Sequence, residues 1–190
     1  PFVLEGASGT AAVATFAAAI ALTGPLRVFS MAIDAILRPR LALLRRAAAI
    51  RPLLVTLVLK GSLGALTAGV VLAGGPKLID WIYGDAVREL APALLAALCY
   101  VTLEALGSSA VVWLQVTRGS EGARLATRAR IRVCALGLAA LYPSCAWGGP
   151  AVALLAMAGC EVLFLGLVVR AAQLATRSEV STRGVSPLNT

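Results

Sequence analysis

Apolar positions in this chain fall in long blocks, not in the alternation of a half-buried strand or the narrow stripe of a soluble helix. The clearest block, Pro52–Gly74, carries a single charge, Lys60. As a helix rising 1.5 Å per residue, it is long enough to cross a hydrocarbon core of about 30 Å. Blocks of the same texture lie on both sides of it. Together they predict an all-α, polytopic transmembrane bundle of about six spans: Phe2–Leu22, Pro25–Leu44, Pro52–Gly74, Leu90–Val116, Leu125–Tyr142 and Ala151–Leu174. Polar punctuation separates them. Thr23-Gly24-Pro25 supplies a Gly C-cap and a Pro for the next first turn. Pro39 is expected to kink the second helix near its end. Gly75–Glu89 is expected to be a polar segment with Trp81 and Tyr83 at interfacial depth. Pro143 and Gly148-Gly149-Pro150 mark the turn before the last helix. The organisation that follows is a six-helix lobe over 1–175 and a polar, disordered cytoplasmic tail over 176–190.

Composition agrees. Apolar residues make up 59% of the 190, well above the 45–50% of a soluble domain, and the mean hydropathy is +0.89. The net charge of +8 could suggest nucleic acid. The basic residues, however, form no single patch; they sit between apolar blocks, as the positive-inside rule describes. Thirteen of the seventeen lie in the junction between the second and third helices, the junction between the fourth and fifth, and the tail; Arg27, Lys77 and Arg88 fall on the other face. This bias puts the first face, and both chain ends, in the cytoplasm. Arg124, Arg128 and Arg132 recur every four residues, a stripe suited to anionic lipid head groups. The chain opens on Pro1 with no signal peptide and reads as the C-terminal part of a longer protein. Six helices would be half of a two-lobed transporter.

Four ionisable residues fall well inside apolar blocks: Asp34, Lys60, Glu104 and Glu161. A charge at mid-bilayer costs about 2.5–3.5 kcal/mol even on the lenient insertion scale, so such groups face a bundle interior or a wet cavity. Arg27, Ser30, Asp34 and Arg38 share one helical face; Tyr100, Glu104 and Ser108 share another, with Gln115 two turns on; Thr56, Lys60, Gly64 and Thr67 share a third. Three such stripes converging would line a hydrophilic cavity, with Arg27, Asp34, Lys60, Tyr100, Glu104, Ser108 and Glu161 as its substrate-binding candidates. Competing structural roles exist. Asp34 could pair with Arg38 one turn away, and Lys60 could snorkel to the cytoplasmic head groups. Glu104 has no basic residue within one turn. Glu161 stands beside Ala158 and Gly159, which suggests close helix packing.

Enzymatic chemistry finds no footing. There is no histidine, so the usual neutral-pH base and commonest metal ligand are missing. No paired aspartates and no phosphate loop occur, and the four cysteines stand apart, three of them in apolar blocks as small core residues. No catalytic residue, metal or cofactor is implied.

The order of several short motifs resembles a known family. Ala11–Ala19 followed by Gly24-Pro25-Leu26-Arg27, then Leu37-Arg38-Pro39-Arg40-Leu41, then Gly75-Pro76 with Leu78-Ile79-Asp80-Trp81-Ile82-Tyr83-Gly84, and finally Trp147-Gly148-Gly149-Pro150, are similar to the C-terminal half of polysaccharide (O-antigen-type) flippases. These belong to the multidrug/oligosaccharidyl-lipid/polysaccharide exporter superfamily. The resemblance covers residues 1–175. It departs from the family where Asp85-Ala86-Val87-Arg88 replaces the usual tyrosine–alanine pair, and the family's first six helices have no counterpart in these residues. The resemblance implies a bacterial inner-membrane protein of cell-surface polysaccharide (lipopolysaccharide) biosynthesis. It would flip a polyprenyl-diphosphate-linked oligosaccharide by alternating access between this lobe and an N-terminal lobe. Arg27 and Lys60 would attract the diphosphate; Asp34, Glu104 and Glu161 would tune the cavity or bind a coupling proton or sodium ion. Its rivals are a drug or metabolite cation antiporter of the same superfamily and a non-transporting membrane scaffold subunit. A membrane glycosyltransferase is disfavoured by the lack of paired acidic metal ligands.

Overall fold

A computed structural model of the chain describes the backbone of residues 2–44, 50–83 and 90–183, and the side chains of residues 10–44, 50–74, 77, 90–146 and 148–170. It is all-helical, with no strand among the described residues: α1 (Phe2–Leu22), α2 (Gly24–Ala42), α3 (Ile50–Tyr83) and α4 (Leu90–Arg183).

α4 is not a rod. Gly119 (φ 58°, ψ −132°) and Gly149 (φ 64°, ψ −160°) interrupt it, the only positive-φ residues among those described. Glycine enters that region without the Cβ penalty that other residues meet. At both points the chain folds back, giving a first arm (90–118), a second (120–148) and a third (150–183). After Gly119, Gly122 lies against the carbonyl of Leu114, and Ala126 and Val133 join Ala110 and Leu114 in one apolar cluster. After Gly149, the third arm returns along the second, where a Cβ on Gly137 would lie 3.3 Å from Cys160 Sγ.

The α1–α2 junction behaves differently. Thr23 keeps right-handed helical geometry (φ −85°, ψ −2°), its hydroxyl donates to the Ile20 carbonyl at 2.7 Å, and Arg27 N–H donates to the Thr23 carbonyl at 3.3 Å. Pro25 sits in the first turn of α2, where its missing N–H leaves no bond unmade. Gly24 takes no left-handed conformation. The two helices therefore bend by 41° where a reversal was expected. By length and composition three stretches could cross a membrane: Ile50–Gly74, Leu90–Ala146 and Gly148–Arg170; a fourth is added if the bent pair counts as one span. Among the described residues the expected six crossings are not reached. Helix boundaries move as well. α3 runs on to Tyr83 through the segment expected to be polar loop, the second arm runs through Pro143, and α4 continues to Arg183 through most of the expected tail. Arg45, Arg46, the Gly84–Arg88 motif and residues 184–190 lie outside the described residues.

The first arm of α4 is the centre of the fold. Ala93, Ala97, Val101, Ser109 and Leu114 on it are fully buried. Its start packs against Ala19 and Leu26, its end against Leu37 and Leu41, so α2 runs alongside it in the same direction. α3 runs the other way, with Leu63 and Val71 at the start of the arm and Gly64 against Thr102. The other arms cover a further side through Ala126, Phe164 and Val168. Of the four cysteines only Cys145 is buried, beside Ala12 and Ala153; Cys99 and Cys134 are exposed, against the expectation of core positions.

Candidate functional site

Every mid-block charge has found an opposite charge on another helix or another arm of α4. Lys60 Nζ lies 2.7 Å from Asp34 Oδ1. Arg27 donates to Glu104 Oε2 twice, from Nε at 3.2 Å and Nη2 at 2.8 Å. Arg130 Nη1 lies 2.7 Å from both oxygens of Glu161. Neither local alternative survives: Asp34 pairs with Lys60 and not with Arg38, and Lys60 is 2% exposed and does not reach for head groups. The reason is depth. A lone charge as buried as Lys60 or Glu161 would lack both water and counter-ion, and the first arm lies against all three pairs through Glu104, Gly107 and Ser108.

That arm adds the remaining donors and acceptors. Ser108 Oγ donates to Asp34 Oδ2 at 2.6 Å and Ser109 Oγ to Oδ1 at 2.7 Å, while the Ala105 carbonyl accepts from Lys60 at 3.0 Å. Tyr100 lies below Arg27, whose guanidinium carbon is 5.8 Å from the ring centroid; Arg130 stands 4.8 Å over Phe164. Such stacking favours arginine over lysine. A Cβ on Gly107 would come within 3.4 Å of Glu161 Oε2 and of Phe164, so the absent side chain makes room for the third ion pair. Of Ala158 and Gly159, which the sequence suggested for close helix packing, Ala158 is buried and Gly159 faces open space.

Between α2, the first arm and the second arm lies an open cavity of about 800 Å³. Asp34, Arg38, Glu104, Ser108, Gln115 and Arg130 supply its polar wall; Met31, Val111 and Phe164 supply apolar wall. A smaller space of about 130 Å³, bounded by Arg27, Ser30 and Glu104, shares Met31, Glu104 and Ser108 with it as lining. Of the seven candidates, Asp34, Glu104 and Ser108 thus line the large cavity and Arg27 the small one. Tyr100 and Glu161 stand behind their arginines, and Lys60 lies behind Asp34, off the cavity. Only two of the three expected stripes line the space. The α3 stripe is a packing seam, where Thr56 and Thr67 bond back to their own helix.

Sequence reasoning missed Arg130 and Ser109; Arg38, which it placed on a cavity-lining stripe but not among the binding candidates, does line the cavity. Arg130 was grouped with the junction arginines. Arg124, Arg128 and Arg132 are indeed exposed on the second arm, but Arg130 turns inward. Its distance from the stripe's four-residue spacing was the available signal. No protein-family model, curated protein or solved structure matches the chain.

Proposed function

We propose that this chain is one lobe of a two-lobed, non-enzymatic membrane translocator that flips a polyprenyl-diphosphate-linked oligosaccharide across a bacterial inner membrane. In this reading the bent α1–α2 pair, α3 and the three arms of α4 make five crossings. The arginine-rich junctions and the chain's end face the cytoplasm, and α1 starts on the opposite face. The N-terminal lobe would close the open side of the cavity.

One observation carries the reading. Asp34, Glu104 and Glu161 are each matched by a base, and Arg38, exposed and without an ion pair among the described residues, also lines the cavity. The surplus charge is positive. An anionic diphosphate head group suits such a wall, with Arg38 as its first contact. A cation antiporter needs the opposite balance. The role assigned earlier to Lys60 therefore passes to Arg38. A coupling proton or sodium ion would have to compete with a resident base at each of the three carboxylates.

The test is flipping of a fluorescent polyprenyl-diphosphate oligosaccharide by the full-length protein in proteoliposomes. Arg38→Ala is expected to lower the rate at least tenfold, the loss of one charge-assisted contact, with abundance unchanged. Cysteine at position 108 is expected to react with a water-soluble thiol reagent and cysteine at position 60 to stay protected. Full-rate flipping by Arg38→Ala would remove the anion assignment.

A further inference from the structure

An ion pair needs only a carboxylate and a base, but the surroundings of Lys60 are richer. Its ammonium donates to Asp34 Oδ1 at 2.7 Å and the Ala105 carbonyl at 3.0 Å, with Ser108 Oγ at 3.4 Å. Each of its three protons thus meets an oxygen. The neighbouring serines of the first arm hold the carboxylate from both sides, Ser108 on Oδ2 and Ser109 on Oδ1. Ser109 is fully buried and Lys60 nearly so. Without the lysine's carbon stem, what remains around the ammonium position is an oxygen set with one formal negative charge: the Asp34 carboxylate, the Ser108 hydroxyl and the Ala105 carbonyl, with Ser109 steadying the carboxylate. Hard oxygen donors of this kind bind hard cations. The two nearer oxygens, at 2.7 and 3.0 Å, sit at distances that suit an ammonium or the similarly sized potassium ion and are wide for sodium.

The geometry points to a monovalent-cation site, built by α2 and the first arm of α4, whose resident cation is the Lys60 ammonium delivered by α3. The ligand class is a potassium-sized ion or a primary ammonium. Asp34 and Ser108 also line the open cavity, so a small cation from solution reaches the site once the tether is shortened. In the native chain the cation cannot dissociate, and the three helices hold together whatever the salt in the cavity. This inference stands on the cluster alone and is independent of what the cavity carries.

The test is the melting temperature of the full-length protein in detergent, in choline, potassium, sodium or methylammonium chloride at equal ionic strength. Lys60→Ala is expected to lower the value in choline by on the order of 10 °C, the effect of stranding a buried carboxylate. Potassium or methylammonium is expected to restore a large part of that loss. The native protein should melt alike in all four salts. Adding Asp34→Asn to Lys60→Ala should abolish the recovery, which separates site binding from general salt effects. Where Lys60→Ala is too unstable to melt cooperatively, Lys60→Gln keeps a donor toward Asp34 with a shorter stem and is measured in the same salts. Identical melting of the lysine variant in all four salts, or recovery that persists without the Asp34 carboxylate, would overturn the assignment.

Discussion

α3 and the stretch Leu90–Ala146 have nearly the same mean hydropathy over their most apolar windows, 1.8 and 1.7, yet 17% of the first window is buried within the protein and 56% of the second. Hydropathy reports that a segment will leave water; it does not say what replaces the water. Around the first arm of α4 the replacement is protein on several sides. Around α3 it is protein along one seam, where Thr56, Lys60 and Gly64 are buried, while Val58, Leu66 and Val70 are exposed. The arm is held by many small apolar contacts, α3 by a few specific ones. Single substitutions should therefore act very differently on the two.

The largest effect is expected at Lys60. Lys60→Met strands the Asp34 carboxylate and should destabilise the protein by about 3–5 kcal/mol, read as a lower melting temperature in detergent. Replacing both partners, Asp34→Leu with Lys60→Met, should return most of that loss, since an apolar pair leaves no buried charge behind. A double variant as unstable as the single one would mean that α3 is held by something else.

Next comes Gly64. A Cβ there would lie 3.0 Å from Thr102 Cβ and closer to the rest of that side chain. Gly64→Ala should cost about 1–3 kcal/mol by overpacking, with partial recovery on adding Thr102→Ala. Gly61 and Gly69 face open space, so alanine at either should leave α3 unharmed or add up to about 1 kcal/mol through helix propensity. The same substitution thus reads out the seam position by position.

How much of this was legible follows from the reach of each signal. Helix class and the burial of charge are local matters. The blocks around Lys60 and Glu104 announced helices, and their charges announced non-lipid surroundings. Turns were half legible. Gly149 sits in a Gly-Gly-Pro cluster and does reverse the chain, but Thr23-Gly24-Pro25 looks similar and only bends it, because Thr23 stays helical. Gly119 has no such cluster, yet the break it makes falls inside the expected junction between Val116 and Leu125. The ion pairs were the least legible. Their members stand 26, 77 and 31 positions apart, so no spacing rule connects them. The lack of a base within a turn of Glu104 showed that its partner was remote, but not that it was Arg27. The glycines show the same limit: Gly64 and Gly69 are alike in sequence, and only the neighbouring helix makes one of them indispensable.

Smaller effects test the polar arrangement on the arm itself. Ser109→Ala removes one of the donors to Asp34 Oδ1 and leaves Lys60 in place, for an expected loss of about 1 kcal/mol. Smaller still should be Arg27→Gln. Its pair with Glu104 has the short contacts of the Lys60 pair, 2.8 Å against 2.7 Å, but its side chains are 37% and 31% exposed where those of Lys60 and Asp34 are 1% and 14%. A carboxylate left alone beside the smaller cavity keeps access to water, so the change should cost less than about 1 kcal/mol. If Arg27→Gln instead lowers the melting temperature as far as Lys60→Met does, access to water is not what separates the two pairs. The distinction between a dry seam on α3 and a wet wall on the first arm then fails with it.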